Sequence, residues 1–176
     1  MAKAKNEEVI TIKAPKFRTA VFRIIGTAPY MQARFSEKTR QAMLAKMAAG
    51  TQAAGKRTKA PRDFDEDMRM AQHFSEAGWN GIPAAAFRNA AIDVCRMVGF
   101  KMTHMKMSLF VEADGIDADE GHPLVRLDAG PPERTNMATR NATGVADIRI
   151  RPMWREWAAD LRIRFDEDQF SLSDVT

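Results

Sequence analysis

The sequence predicts an α+β fold built on antiparallel strands, and three observations predict it. Residues 17–27 and 156–166 alternate apolar and polar side chains with period two, the pattern of strands that bury one face. Residues 83–98 repeat apolar side chains at spacings of three and four, the pattern of a helix packed on such a face. Gly26, Pro29, Gly50, Gly78 and Gly99 punctuate these runs where turns are needed. With 176 residues and 45% hydrophobic content, the chain can bury one core without staples, so a single α+β domain spanning 1–176 is expected.

Two strands open the chain. Val9–Lys13 sets Ile10 and Ile12 on one face, and Phe17–Thr27 sets Ala20, Phe22 and Ile24 together. Ser36 suits an N-cap for a helix through Met43, Leu44 and Met47 that stops at Gly50. Residues 50–62 lack periodicity and carry four cations without an acid, which reads as a loop. Asp63 with Glu66 makes a capping-box-like start for a helix through Phe64, Met68, Ala71 and Phe74, ended by Gly78. The acids Asp63, Asp65, Glu66 and Asp67 then serve the positive end of that helix.

A tight turn at Trp79–Gly81 leads to the clearest helix, with Pro83 at its first position and Gly99 beyond its end. Its apolar stripe is Ala84, Phe87, Ala91, Val94 and Val98, which leaves Arg88, Asn89 and Arg96 off the core face. Lys106–Ala113 reads as a strand, Asp114–Gly121 as an acidic turn, Leu124–Leu127 as a short strand and Asp128–Gly144 as a long loop. In 146–151 and 156–166 the alternation predicts an antiparallel pair, with Arg149, Arg151, Arg162 and Arg164 on one surface beside Asp147, Asp160 and Asp166. A short helix is expected from Ser171 or Ser173.

Composition narrows the function. There is no run of 18 apolar residues and no secretory leader, so the expectation is a cytoplasmic protein with no membrane partner. The single cysteine, Cys95, sits in an apolar helix and is expected buried. A phosphate-cradling Gly-rich loop, a nucleophile elbow and zinc-type Cys/His spacing are absent, and His73, His104 and His122 lack second ligands at helical spacing. The acids of 114–120 miss the spacing of a calcium loop. No cofactor, metal or catalytic residue is therefore expected.

Charge is distributed unevenly. Residues 1–62 carry 14 Lys/Arg against 3 Asp/Glu, while residues 63–176 carry 13 against 20, within a net charge of +4. A clustered positive field concentrates phosphates and releases their counterions, so a nucleic-acid partner is the leading reading. Pairing of the cations with the acidic remainder of the chain, or with another copy, is the competing one. The candidate phosphate contacts are Arg34, Lys38 and Arg40 on the first helix and its approach, Lys56, Arg57, Lys59 and Arg62 on the loop, Arg88, and Arg134 and Arg140 in the second loop. Tyr30, Phe35 and Trp79 are the candidate stacking aromatics.

The string Gly81-Ile82-Pro83-Ala84-Ala85-Ala86-Phe87-Arg88-Asn89-Ala90 resembles the IPGSSLKGALR element of the RAMP superfamily, the RNA-binding backbone subunits of CRISPR effector complexes. The Gly26–Pro29 strand end and the order of elements resemble the same superfamily, in the manner of phage and prophage proteins. The resemblance implies an RRM/ferredoxin-like antiparallel sheet with packed helices, and a helical, basic, thumb-like insertion over residues 30–78. It implies RNA binding as a repeating homo-oligomer or complex subunit. Some members cleave RNA with an aspartate in the segment that here holds Asp63, Asp65 and Asp67; the helix-capping role of these acids favours a non-catalytic binder. A self-assembling phage structural or interaction subunit is the alternative, and a Mg²⁺-dependent ribonuclease the weaker one.

Overall fold

A computed structural model of the protein describes residues 13–35, 37–48, 63–140, 144 and 146–175. Most of the strand expected at Val9–Lys13, the cap at Ser36 and the loop 50–62 lie outside the described residues. The elements in chain order are β1 (Phe17–Ile25), β2 (Tyr30–Met31), α1 (Glu37–Ala48), α2 (Phe64–Met70), β3 (Gly81–Pro83), α3 (Ala84–Val94) and α4 (Met102–Ser108). There follow β4 (Leu109–Glu112), β5 (Gly115–Ile116), β6 (Pro123–Arg126), β7 (Glu133–Arg140), β8 (Ala146–Trp154), β9 (Ala158–Asp166) and α5 (Leu172–Val175). The α+β class holds: every strand pair is antiparallel, in three-stranded sheets ordered β1-β9-β4, β2-β8-β7 and β3-β6-β5. Among the described residues no helix is long and apolar enough to cross a membrane.

The first sheet carries the main core. Alternation on β9 buries Ala159, Leu161, Ile163 and Phe165, and Ala20, Phe22 and Ile24 of β1 and Leu109 and Val111 of β4 join them on the same side. Ala84, Phe87 and Ala91 of α3 cover this face, with Val125 and Phe170 at its margins. Burying such side chains is worth roughly 1.5–3 kcal/mol each, so this layer dominates the stability. A smaller cluster of Ile82, Leu127 and Trp154 sits beside it, where Tyr30 stacks on Trp154 at 5.8 Å and tilts against Trp157 at 5.4 Å. Trp157 lies flat on Gly26, where a Cβ would come within 2.1 Å of the indole nitrogen, and that nitrogen donates to the Ala28 carbonyl at 2.9 Å.

Five expectations need correction. Helix α2 ends at Met70 instead of running through Phe74 to Gly78, and Phe74 forms an antiparallel bridge with Asn80. Strands β8 and β9 do not pair with each other; β8 lies between β2 and β7, and β9 lies between β1 and β4. The cause is that β8 stays extended through Pro152 to Trp154, with Ile150, Pro152 and Trp154 buried, and only residues 155–157 remain to carry the chain into another sheet. The four arginines therefore split between two sheets. Residues 133–140 form a strand where a loop is expected: Thr-rich β7 is held by its ladder to β8 and buries no apolar stripe that would betray it. Helix α4 occupies Met102–Ser108, so the strand expected from Lys106 begins at Leu109. On α3 and the turn after it, Ile92 and Cys95 are buried while Val94 and Val98 are exposed, because the regular helix ends at Val94 and the following turn rotates the stripe.

Candidate nucleic-acid interface

The pleat that drives Ala20, Phe22 and Ile24 into the core sends Phe17, Thr19, Val21, Arg23 and Ile25 to the opposite face of β1. The same alternation brings Arg162 and Arg164 of β9 and Phe110 and Glu112 of β4 to this face, and none of the helices named in the core covers it. Register sets Arg164 directly between Thr19 and Phe110. Its guanidinium carbon lies 5.2 Å from the Phe17 ring centre and 5.4 Å from the Phe110 ring centre, and the two rings meet edge to face at 5.7 Å. Among the described residues Arg164 has no carboxylate within ion-pair distance, and its guanidinium lies against the two ring faces.

Its neighbours are neutralised. Arg23 pairs with Asp160 at 3.2 Å and with Asp128, and these two carboxylates hold its guanidinium above its usual pKa. Arg162 pairs with Asp114, and Arg18 with Glu167 at 3.2 Å. Together Arg23, Asp114, Arg126, Asp128, Asp160 and Arg162 line a cleft of about 290 Å³ in which cations and anions match one for one. Glu112, which accepts from Thr19 at 3.2 Å, stands on the same face and offsets the Arg164 charge, so Arg164 is set apart by its aromatic neighbours and not by a net positive field. On β8, burial and then the adjacent Arg149 charge pull the Arg151 guanidinium below its usual pKa, while Arg149 stands 3.9 Å from Asp147.

Four of the cations expected to meet phosphate, Arg34, Arg40, Arg88 and Arg134, are engaged by protein groups. Arg34 is only 3% exposed. Its Nη1 donates to Asp119 at 2.7 Å and to the Gln72 carbonyl at 3.3 Å, while Asp117 and Glu120 stand 3.8 and 3.7 Å away. It is a buried clamp on the acidic turn and is not open to a phosphate. Arg40 pairs with Glu120 at 2.7 Å. Arg88 donates to the carbonyls of Leu109, at 3.0 Å, and Lys106, closing the end of α4 while lying over the Phe110 ring. Arg134 pairs with Asp65 at 2.7 Å, joining β7 to α2. Arg140 is exposed at the end of β7, without a carboxylate partner among the described residues. Lys38 lies on α1, its side chain outside the described residues, and Lys56, Arg57, Lys59 and Arg62 lie outside them altogether.

The aromatic candidates divide likewise. Tyr30 is packed between Trp154 and Trp157, and burial pushes its hydroxyl pKa up. Trp79 lies against Gly81 and Gly115, where a Cβ would come within 2.9 and 2.7 Å of its ring. Phe35 remains exposed. Phe17, Phe110 and Arg164 are the residues that sequence reasoning missed as a group. Their signal is present in β1, whose apolar residues occur in both phases of the alternation: Val21 and Ile25 fall on the wet face with Phe17.

The acidic turn is more than a solvated bend. Asp117 is fully buried and accepts from the backbone of Asp119 at 3.0 Å and Glu120 at 2.9 Å, with His73 Nδ1 2.9 Å away. Burial alone would raise its pKa, but these hydrogen bonds and the Arg34 charge outweigh it and hold the carboxyl below its ordinary value. Asp63 caps α2 as expected, accepting from Asp65 and Glu66. No protein-family model, curated protein or solved structure matches the chain.

Proposed function

We propose that the protein is a non-catalytic module that binds single-stranded nucleic acid, RNA before DNA, on the open face of the β1-β9-β4 sheet. The observation that carries the reading is the Phe17–Arg164–Phe110 group, in which Phe17 and Arg164 are exposed and Phe110 is half-buried: a guanidinium with no ion-pair partner among the described residues, set between two aromatic rings on the sheet face opposite the core. Bases stack on aromatic rings without regard to sequence, and a guanidinium serves either a base face or a phosphate. Order and direction of the strands support an RRM-like core. Taken along the chain, the sheet's first, second and third strands lie in the spatial order first-third-second, a helix intervenes between the first and second, and α5 follows the third. On this reading residues 30–78, with β2, α1 and α2, are the helical insertion, and residues 1–176 form one domain. Lys56, Arg57, Lys59 and Arg62, all outside the described residues, are assigned further phosphate contacts on their charge alone.

The test is fluorescence anisotropy with labelled single-stranded RNA and DNA oligomers across a salt series, using nuclease-treated protein. Phe17→Ala and Phe110→Ala should each weaken binding by about 1–3 kcal/mol, and Arg164→Ala should lower the log-log salt slope by about one. Native-like binding by all three variants refutes the sheet as the site. A protein-interaction role is the second reading, favoured by the exposure of Val21 and Ile25 on the same face.

A further inference from the structure

One edge of β1 has no strand partner among the described residues. Gly26 N–H donates to the Trp157 carbonyl and Glu167 N–H donates to the Lys16 carbonyl, each at 2.9 Å. Both pairs continue the β1-β9 register, so the even-numbered residues of β1 turn their N–H and C=O groups toward β9. The odd-numbered residues, Phe17, Thr19, Val21, Arg23 and Ile25, turn theirs to the opposite edge, where nothing among the described residues pairs with them. A nine-residue edge of this kind is a template for strand addition; it holds no proline and no lysine, and its two arginines, Arg18 and Arg23, are already paired with Glu167, Asp128 and Asp160.

We infer that two copies join β1 to β1 antiparallel about a two-fold axis at Val21, making one continuous six-stranded sheet. The occupant is a second copy because the strand is complementary to itself. With the axis at Val21, Phe17 faces Ile25 of the other copy, Val21 faces Val21, and Thr19 faces Arg23, all on the outer face; on the inner face Ala20 faces Phe22 and Arg18 faces Ile24. Every odd residue then meets an odd residue, so all the free backbone groups are satisfied, and no like charges oppose one another. The exposed Val21, at 63%, and Ile25, at 72%, gain apolar cross-strand partners. Moving the axis to Arg23 sets that residue against its own copy, and moving it to Thr19 leaves residues 22–25 without strand partners. The contact is isologous and closes as a dimer.

The test uses the full chain, nuclease-treated and free of nucleic acid, so that it stands apart from the binding assay. Size-exclusion chromatography with light scattering should give twice the chain mass of 19.7 kDa, and Val21→Lys should return it to the single-chain mass. Val21→Cys should cross-link under mild oxidation, because directly opposed residues in a narrow pair lie about 5.5 Å apart, within disulfide reach. Ile25→Cys should not, because its two copies would stand roughly 27 Å apart along the strands. A native chain of single-chain mass at every concentration overturns the proposal. So does a dimer that persists in Val21→Lys, or cross-linking of Ile25→Cys as readily as of Val21→Cys.

Discussion

Replacing Arg34 by alanine separates a clamp from a phosphate contact. The side chain is buried among Asp117, Asp119 and Glu120, with its shortest contact 2.7 Å to Asp119. Its removal leaves three carboxylates close together, one of them fully buried, with His73 as the nearest remaining base to Asp117. Breaking a buried ion pair by deleting one partner costs about 3–5 kcal/mol. At about 2–4 °C per kcal/mol for a chain of this size, that is a fall in Tm of roughly 6–20 °C. Thermal unfolding followed by far-ultraviolet circular dichroism reads this directly, and the oligonucleotide salt series on the same variant should keep the native slope. A variant with native Tm and a slope reduced by about one would refute the reasoning and return Arg34 to the phosphate-binding set.

Asp117→Asn should flatten the acid side of the Tm-against-pH curve. The folded Asp117 carboxyl sits below its ordinary value of 3.8, so its contribution to stability is complete above that value and is lost as pH falls through the lower, folded one. Gly26→Ala should cost about 1–3 kcal/mol in urea unfolding, because the new Cβ would lie 2.1 Å from the Trp157 indole and the ring must shift. Changing Lys56, Arg57 and Lys59 together to alanine should reduce the salt slope by about one per cation that meets phosphate; an unchanged slope removes the loop from the interface.

Where a residue's role depends on its own chain neighbours, the amino-acid sequence determined it. Period-two alternation in β9 identified the buried set Ala159, Leu161, Ile163 and Phe165, and Asp63 was legible as the cap of α2, because both effects act within a few residues. The asymmetry of charge was equally legible, but its consequence was not. Only the tertiary structure decided that Arg18, Arg23, Arg34 and Arg40 face carboxylates contributed from residues 117–167. It also decided that Arg164 is left between two aromatic rings, and that β8 and β9 diverge into different sheets. Coulombic pairing and strand partnership here join residues 80 to 149 positions apart, and alternation along one strand fixes which face a side chain occupies while carrying no information about which strand lies beside it.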